Sequence, residues 1–255
     1  MLEPIRIEQQ EEPVSKAPRP PFVPLIALLA RQYPDLADPA QLIADRRVLV
    51  DGRLVDNPRA SVRRSAGIRV RPPSALRGQS KLAAGLDAFA VHVTGAVAVD
   101  VGAAAGGFTT ELLERGARRV YAMDAGFGQL VGRLRCDPRV VNLERTNAAS
   151  LSVALVPESV GVVTMDLSYL AVAGAVGFLG ALRFEASAIL VALVKPTFEL
   201  RAGTLITDPV SVRAAIAEAV AAIESAGWRP ESCTIPVVAG AGGAVESFVL
   251  ARRTS

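Results

Sequence analysis

The chain has 255 residues, 51% of them apolar, with 28 lysines and arginines against 25 aspartates and glutamates, which suits one medium domain joined to a small one. That balance excludes a disordered, collagen-like or disulfide-built protein. Only Lys16, Lys81 and Lys195 among the cations are lysines; all the others are arginine.

Residues 1–20, MLEPIRIEQQEEPVSKAPRP, mix acids and prolines and carry too little apolar surface to offset ordering entropy, so a disordered tail is expected there. No apolar core follows a basic start, so neither a secretion signal nor a transit peptide is expected, and a reducing, cytoplasmic location follows. Mean hydropathy is positive at +0.34, yet the longest wholly apolar run, Leu170 to Leu182, has 13 residues. A membrane span needs roughly 20, so no membrane partner is expected.

Residues 21–73 form the expected small unit. Helical spacing appears in PLIALLARQYP and ADPAQLIADRR, then short β segments in VLVDGRLVD and GIRVRPP, joined by Asp-Gly and Asn-Pro turn signals. Between Arg53 and Arg77, the arginines Arg53, Arg59, Arg63, Arg64, Arg69, Arg71 and Arg77 face a single acid, Asp56, the charge pattern of a surface that meets phosphates. An ordinary solvated arginine face would read similarly. Residues 74–80 are read as a linker.

Over 81–255, helical patterns alternate with short runs rich in Val, Ala and Leu. AVAVDVG, RRVYAMDAG, RVVNLERT, VGVVTMDLS, SAILVALVKP, SCTIPVVAG and ESFVLARR read as strands; FTTELLERGA and PVSVRAAIAEAVAAIESAGW read as helices. This order predicts an α/β, Rossmann-like, doubly wound and mostly parallel sheet with helices on both faces. Cys136 and Cys233 stand far apart without a CxxC or CxxH spacing, so packing roles and no metal are expected.

The first strand runs into Asp100, then Gly102, Ala103, Gly106, Gly107 and Phe108, then a helix. Glycines let a backbone turn tightly and approach a ligand at a helix N-terminus, as dinucleotide folds also do. Asp124 ends the next strand, where a carboxylate accepts hydrogen bonds from ribose hydroxyls. A carboxylate at Asp100, just before the loop, repels a pyrophosphate and favours a cation, so S-adenosyl-L-methionine suits this loop better than NAD.

Four more ionisable residues fall where such sheets bind ligands. Lys81 precedes the first helix, Asp166 and Lys195 end strands, and Glu246 opens the last strand. Buried charges need partners, and two lysines with two acids neutralise each other. In a chain that uses arginine nearly everywhere, lysine at two sites around one crevice points to a need for an amine able to give up its proton, which arginine does not do.

Gln79-Ser-Lys81-Leu, DVGAAAGGF, VYAMDAGFGQL, DPRVVNLERTN, MDLSYL, LVKPTFE and VESF, in this order, resemble the TlyA family of ribosomal RNA 2′-O-methyltransferases and the wider FtsJ-like fold. The resemblance covers roughly residues 22–252. It implies a Lys81-Asp166-Lys195-Glu246 tetrad around a target ribose hydroxyl, in which Lys195 accepts or steers the proton, Asp166 holds Lys195, and Glu246 balances Lys81 or orients the acceptor. It also implies cofactor contacts by Asp100, Gly102, Gly106, Gly107 and Asp124, and an αL-type RNA-binding unit at the N-terminus.

Several positions depart from the family. Ala104 and Ala105 replace a serine and a threonine in the glycine loop. Ala37-Asp38 stands where a Ser-Arg pair opens the second small helix, which predicts weaker RNA docking. ELRAGTLITDP is shortened, and AGAGGAVESF replaces a Pro-Gly-Pro stretch. These changes leave two function classes beside rRNA 2′-O-methylation: O-methylation of a small-molecule hydroxyl, and a non-catalytic RNA-binding role. A pore-forming role has no cationic amphipathic helix to carry it. His92 is read as packed or surface, Trp228 as core, and Tyr169 and Phe198 as packing residues or stacking surfaces beside Asp166 and Lys195.

Overall fold

A computed structural model describes residues 21–254 with the exception of 35, 37, 72–75 and 235–242. The expected tail and residues 74–75 of the expected linker lie outside the described residues. The chain divides into Met1–Arg71 and Pro72–Ser255.

In the first unit, β1 (Phe22–Pro24) leads into α1 (Leu25–Gln32), whose Leu25, Leu28 and Leu29 fall on one buried face. The next helix, α2 (Pro39–Ala44), begins with Pro39, and the Gln41 amide donates to the Asp38 carboxylate at 2.9 Å. Asp38, the substitution that sequence marks as a lost phosphate contact, therefore caps a helix. β2 (Val48–Val50) and β3 (Arg53–Val55) form a hairpin turned by Asp51 and Gly52, both at positive φ (48° and 81°). β4 (Ser61–Arg63) pairs with β1, and β5 (Ile68–Val70) pairs with β2. The β1–β4 ladder was not expected, because three-residue strands are too short to show alternation. Leu25, Leu29, Ile43 and Val48 form this unit's core. Arg53, Arg59, Arg63, Arg69 and Arg71 are exposed, and Asp56 pairs with Arg46 at 3.8 Å rather than with any of them.

The second unit opens with α3 (Arg77–Ala88), so residues 77–80 are a helical turn and not a linker. Gly78 and Gly85 dilute the helical signal there, and packing explains both. A Cβ on Gly78 would meet Gly107 Cα and the Phe108 ring at 3.4 Å, and one on Gly85 would meet the Phe248 ring at 2.7 Å. Then follow β6 (Val97–Val101), α4 (Gly107–Glu114), β7 (Arg119–Asp124), α5 (Gly132–Arg135), β8 (Val140–Glu144), β9 (Val160–Met165) and α6 (Val172–Ala175). The chain continues through β10 (Phe184–Val194), α7 (Pro196–Glu199), α8 (Pro209–Ser225), β11 (Trp228–Thr234) and β12 (Ser247–Arg253).

These strands build a seven-stranded sheet in the order β11-β12-β10-β9-β6-β7-β8. Only β12 runs against its neighbours. Every residue of β6 and β9 is buried, as a strand covered on both faces requires. The strand expected in SCTIPVVAG starts earlier, at Trp228, whose buried ring meets Phe184 edge-on at 5.0 Å; residues 235–240 lie outside the described residues.

Both cysteines are exposed, which corrects the packing expectation: Cys136 follows the last turn of the short α5, and Cys233 sits on the edge strand β11. Among the described residues, no group of acids, histidines and cysteines could hold a metal, and no helix is long and apolar enough to cross a membrane.

Candidate active site

The strand register sets the site. Val194 of β10 lies opposite Ser247 of β12, so the next residues outward, Lys195 and Glu246, meet at one end of the sheet. On the other side of β10, β9 ends at Met165 beside Ala192, which brings Asp166 to the same end. Lys195 Nζ lies 2.5 Å from Asp166 Oδ1 and donates to the Leu167 carbonyl at 2.9 Å, with Ser168 Oγ at 3.4 Å. Apart from the lysine, Asp166 Oδ1 is buried with no hydrogen-bond partner among the described residues. From α3, Lys81 reaches Glu246 Oε2 at 2.5 Å, and both side chains are at least nine-tenths buried. The four expected residues thus form two neutral ion pairs.

The glycine loop follows β6 and closes on the same strand ends. Gly102 and Ala103 both donate to the Met123 carbonyl, and Gly106 donates to the Ala103 carbonyl. Gly102 has φ +92°, and a Cβ there would lie 2.3 Å from the Asp166 carbonyl oxygen. The loop therefore touches the strand end that carries Asp166. Alongside lies a groove of about 290 Å³, bordered by Arg77, Gly78, Gly102, Ala104, Gly107 and Asp166. Phe108 also borders it, but its ring is core, 6.0 Å from the ring of Phe248.

The acids around this loop do different work. Asp124 staples it: its carboxylate accepts from the Ala104 amide at 2.8 Å and from the Gly126 amide at 2.7 Å. Each oxygen retains a free lone-pair direction for a further donor. Ala104 itself sits at φ 45°, an uncommon conformation that this bond to Asp124 helps hold. Asp100, expected as a cofactor contact, lies buried beneath the loop. It has no exposed surface, and its oxygens accept from the Thr109 hydroxyl at 2.7 Å and the Thr164 hydroxyl at 2.9 Å. Burial pushes its carboxyl up to about 7, against the two threonine bonds, and the Asp166 charge adds to the rise.

Next to Lys195 opens a second cavity, of about 730 Å³, bordered by Tyr169, Phe198, Glu199, Arg201 and Glu218. Lys195 Nζ stands 5.9 Å from the centre of the Phe198 ring. Tyr169 and Phe198 are exposed rings at this mouth, and burial together with the Asp124 charge raises the Tyr169 hydroxyl. Glu199 was not singled out from sequence. Its buried carboxylate accepts from the Val172 and Ala173 amides and so fixes the start of α6, one wall of the cavity. Thr109 and Thr164 were missed as well, since nothing in their local pattern marks a hydroxyl that faces a carboxylate. His92 is exposed at the opposite end of the sheet, just ahead of β6.

Residues 75–253 match the family described as FtsJ-like methyltransferase. The Mycobacterium tuberculosis 16S/23S rRNA (cytidine-2′-O)-methyltransferase TlyA is 38% identical over 224 residues, covering 84% of this chain and 82% of that one. Among solved structures, a Streptococcus thermophilus protein described as a hemolysin matches with a TM-score of 0.67 and 24% identity, covering 92% of this chain and 90% of that one. A Listeria monocytogenes protein described as an S-adenosylmethionine-dependent methyltransferase matches with a TM-score of 0.51 and 14% identity, covering 71% of this chain and all (100%) of that one.

Proposed function

The chain belongs to the FtsJ-like methyltransferase family, and from that membership and its two lysine–carboxylate pairs we propose that it transfers the methyl group of S-adenosyl-L-methionine to a ribose 2′-hydroxyl of ribosomal RNA. The observation that carries this reading is the Lys195–Asp166 pair standing where the glycine loop touches the sheet.

The residues fit the cofactor. Asp124 ends β7 with carboxylate oxygens that can accept from ribose hydroxyls, the groove beside Gly102 and Gly107 is closed to any side chain on the loop, and the carboxyl of Asp100 lies buried beneath it. When bound, S-adenosyl-L-methionine supplies an electrophilic methyl whose bond to sulfur breaks, leaving the electron pair on sulfur. Lys195 rests as the ammonium paired with Asp166, so it first gives a proton to solvent, and as the amine its Nζ then takes the proton of the attacking hydroxyl. The ammonium so formed finds Asp166, Leu167 and Ser168 already in place to receive its three N–H groups. Glu246 holds Lys81 in a buried ion pair at the same end of the sheet as Lys195. Positioning of two reactants supplies the larger share of the rate, and proton transfer about 10²–10⁴-fold.

The arginines of the first unit support an RNA acceptor. Among the described residues, Arg53, Arg59, Arg63 and Arg69 have no carboxylate partner, which leaves their charge for phosphates. This reading places the protein with ribosomes, in the cytoplasm. The roomy cavity beside Lys195 favours the second reading, a small-molecule hydroxyl as acceptor. Incubation with labelled S-adenosyl-L-methionine and unmodified 30S and 50S subunits separates the two. Label in the ribose of one rRNA is expected; label only in a small-molecule extract overturns the RNA acceptor.

A further inference from the structure

The carboxyl of Asp100 lies under the glycine loop, two residues before Gly102, and is out of reach of any ligand. Its surroundings are described on every side. From α4 comes the Thr109 hydroxyl, and from β9 come the Thr164 hydroxyl and, just past the strand, the charge of Asp166. From β7 the residue opposite is Ala122, with Asp124 at that strand's end. Among the described residues no cation is bonded to it, and the one charged side chain that α3 brings to the groove is Arg77.

A carboxylate walled in by two hydroxyls and faced by a second acid gains most from a positive charge placed in the groove above it. We propose that Asp100 distinguishes the cationic cofactor from its product by charge alone: it keeps a proton until a cation enters the groove, and releases that proton when one does. This rests on the cofactor reading above. S-adenosylmethionine carries a sulfonium, whereas S-adenosylhomocysteine has a neutral sulfur and the same amino-acid end. Binding of the first therefore releases a proton that binding of the second retains, and the spent product is held less tightly once Asp100 has ionised. The raised titration of Asp100, near neutral pH, puts this exchange within the working range.

The sign follows from linkage. A bound cation lowers the proton affinity of Asp100, so affinity for S-adenosylmethionine rises with pH and levels off above about 7. Calorimetric titration of the full chain with each compound, from pH 6 to 8.5 in two buffers of different ionisation enthalpy, tests it. S-adenosylmethionine is expected to bind about tenfold more weakly at pH 6 than at pH 8, with proton release below neutrality, while S-adenosylhomocysteine changes far less. Asp100→Asn is expected to flatten the first curve to match the second. Equal pH responses for the two compounds, or proton release that survives in Asp100→Asn, overturns the proposal. Should that variant fail to fold, Thr164→Val removes one donor to the carboxylate and is expected to move the pH midpoint upward; an unmoved midpoint also overturns it. No binding of S-adenosylmethionine at any pH sinks the cofactor reading itself, whereas tight binding without proton release sinks only the role of Asp100.

Discussion

Lys195 occupies a seat of three oxygens, from Asp166, Leu167 and Ser168. A guanidinium is planar and stays protonated, so Lys195→Arg is expected to lower kcat by about 100-fold or more with cofactor affinity and melting temperature near wild type; single-turnover transfer and calorimetry check this. Glu246 poses a different test, because its partner Lys81 is buried. Glu246→Ala leaves that ammonium without its carboxylate and is expected to cost about 3–5 kcal/mol in urea unfolding. Asp100 contributes a third. Its folded value, about 7, lies above the unfolded 3.8, so the stability it contributes is whole below the unfolded value and is lost as pH rises through about 7. Asp100→Asn is expected to remove that loss, on the order of a few kcal/mol, so its melting temperature overtakes wild type above neutral pH. Residues at strand ends were legible in sequence because strand ends predict location. The bonds that occupy Asp100 were not legible, because its hydroxyl donors come from residues 9 and 64 positions away.

At the scale of elements, close approach decides which glycines matter. Gly102 combines φ +92° with a backbone oxygen 2.3 Å from any Cβ, so Gly102→Ala is expected to displace Asp166 and weaken cofactor binding at least tenfold, read by calorimetry. Gly85 lets α3 lie against Phe248, whose full burial is worth about 1.5–3 kcal/mol. The alternation of strands and helices made the second unit readable almost throughout, since each strand is long enough to show its apolar run. α3 was read short because its glycines serve packing rather than helix propensity. The ladder of β1 and β4 escaped notice for want of length.

For the whole molecule, the division after Arg71 separates two kinds of work. The first unit has arginines without carboxylate partners among the described residues and a small core; the second has the groove, the two ion pairs and the family match. A chain that starts at Pro72 is expected to fold and to bind S-adenosylmethionine with unchanged affinity. It is also expected to lose most of its affinity for rRNA, together with the steep salt dependence that phosphate contacts produce, as filter binding across a salt series would show.

Lys81 and Glu246 are 165 residues apart in the chain, yet their side chains pair directly in the buried interior. Closing a loop of that length costs entropy before the contact repays it, so the pair is expected to form late in folding. Refolding followed by strand signal and by methyl transfer is therefore expected to show activity returning after the sheet. On this reading the second unit gains its chemistry only with its last long-range contact, and the first unit takes no part in that step.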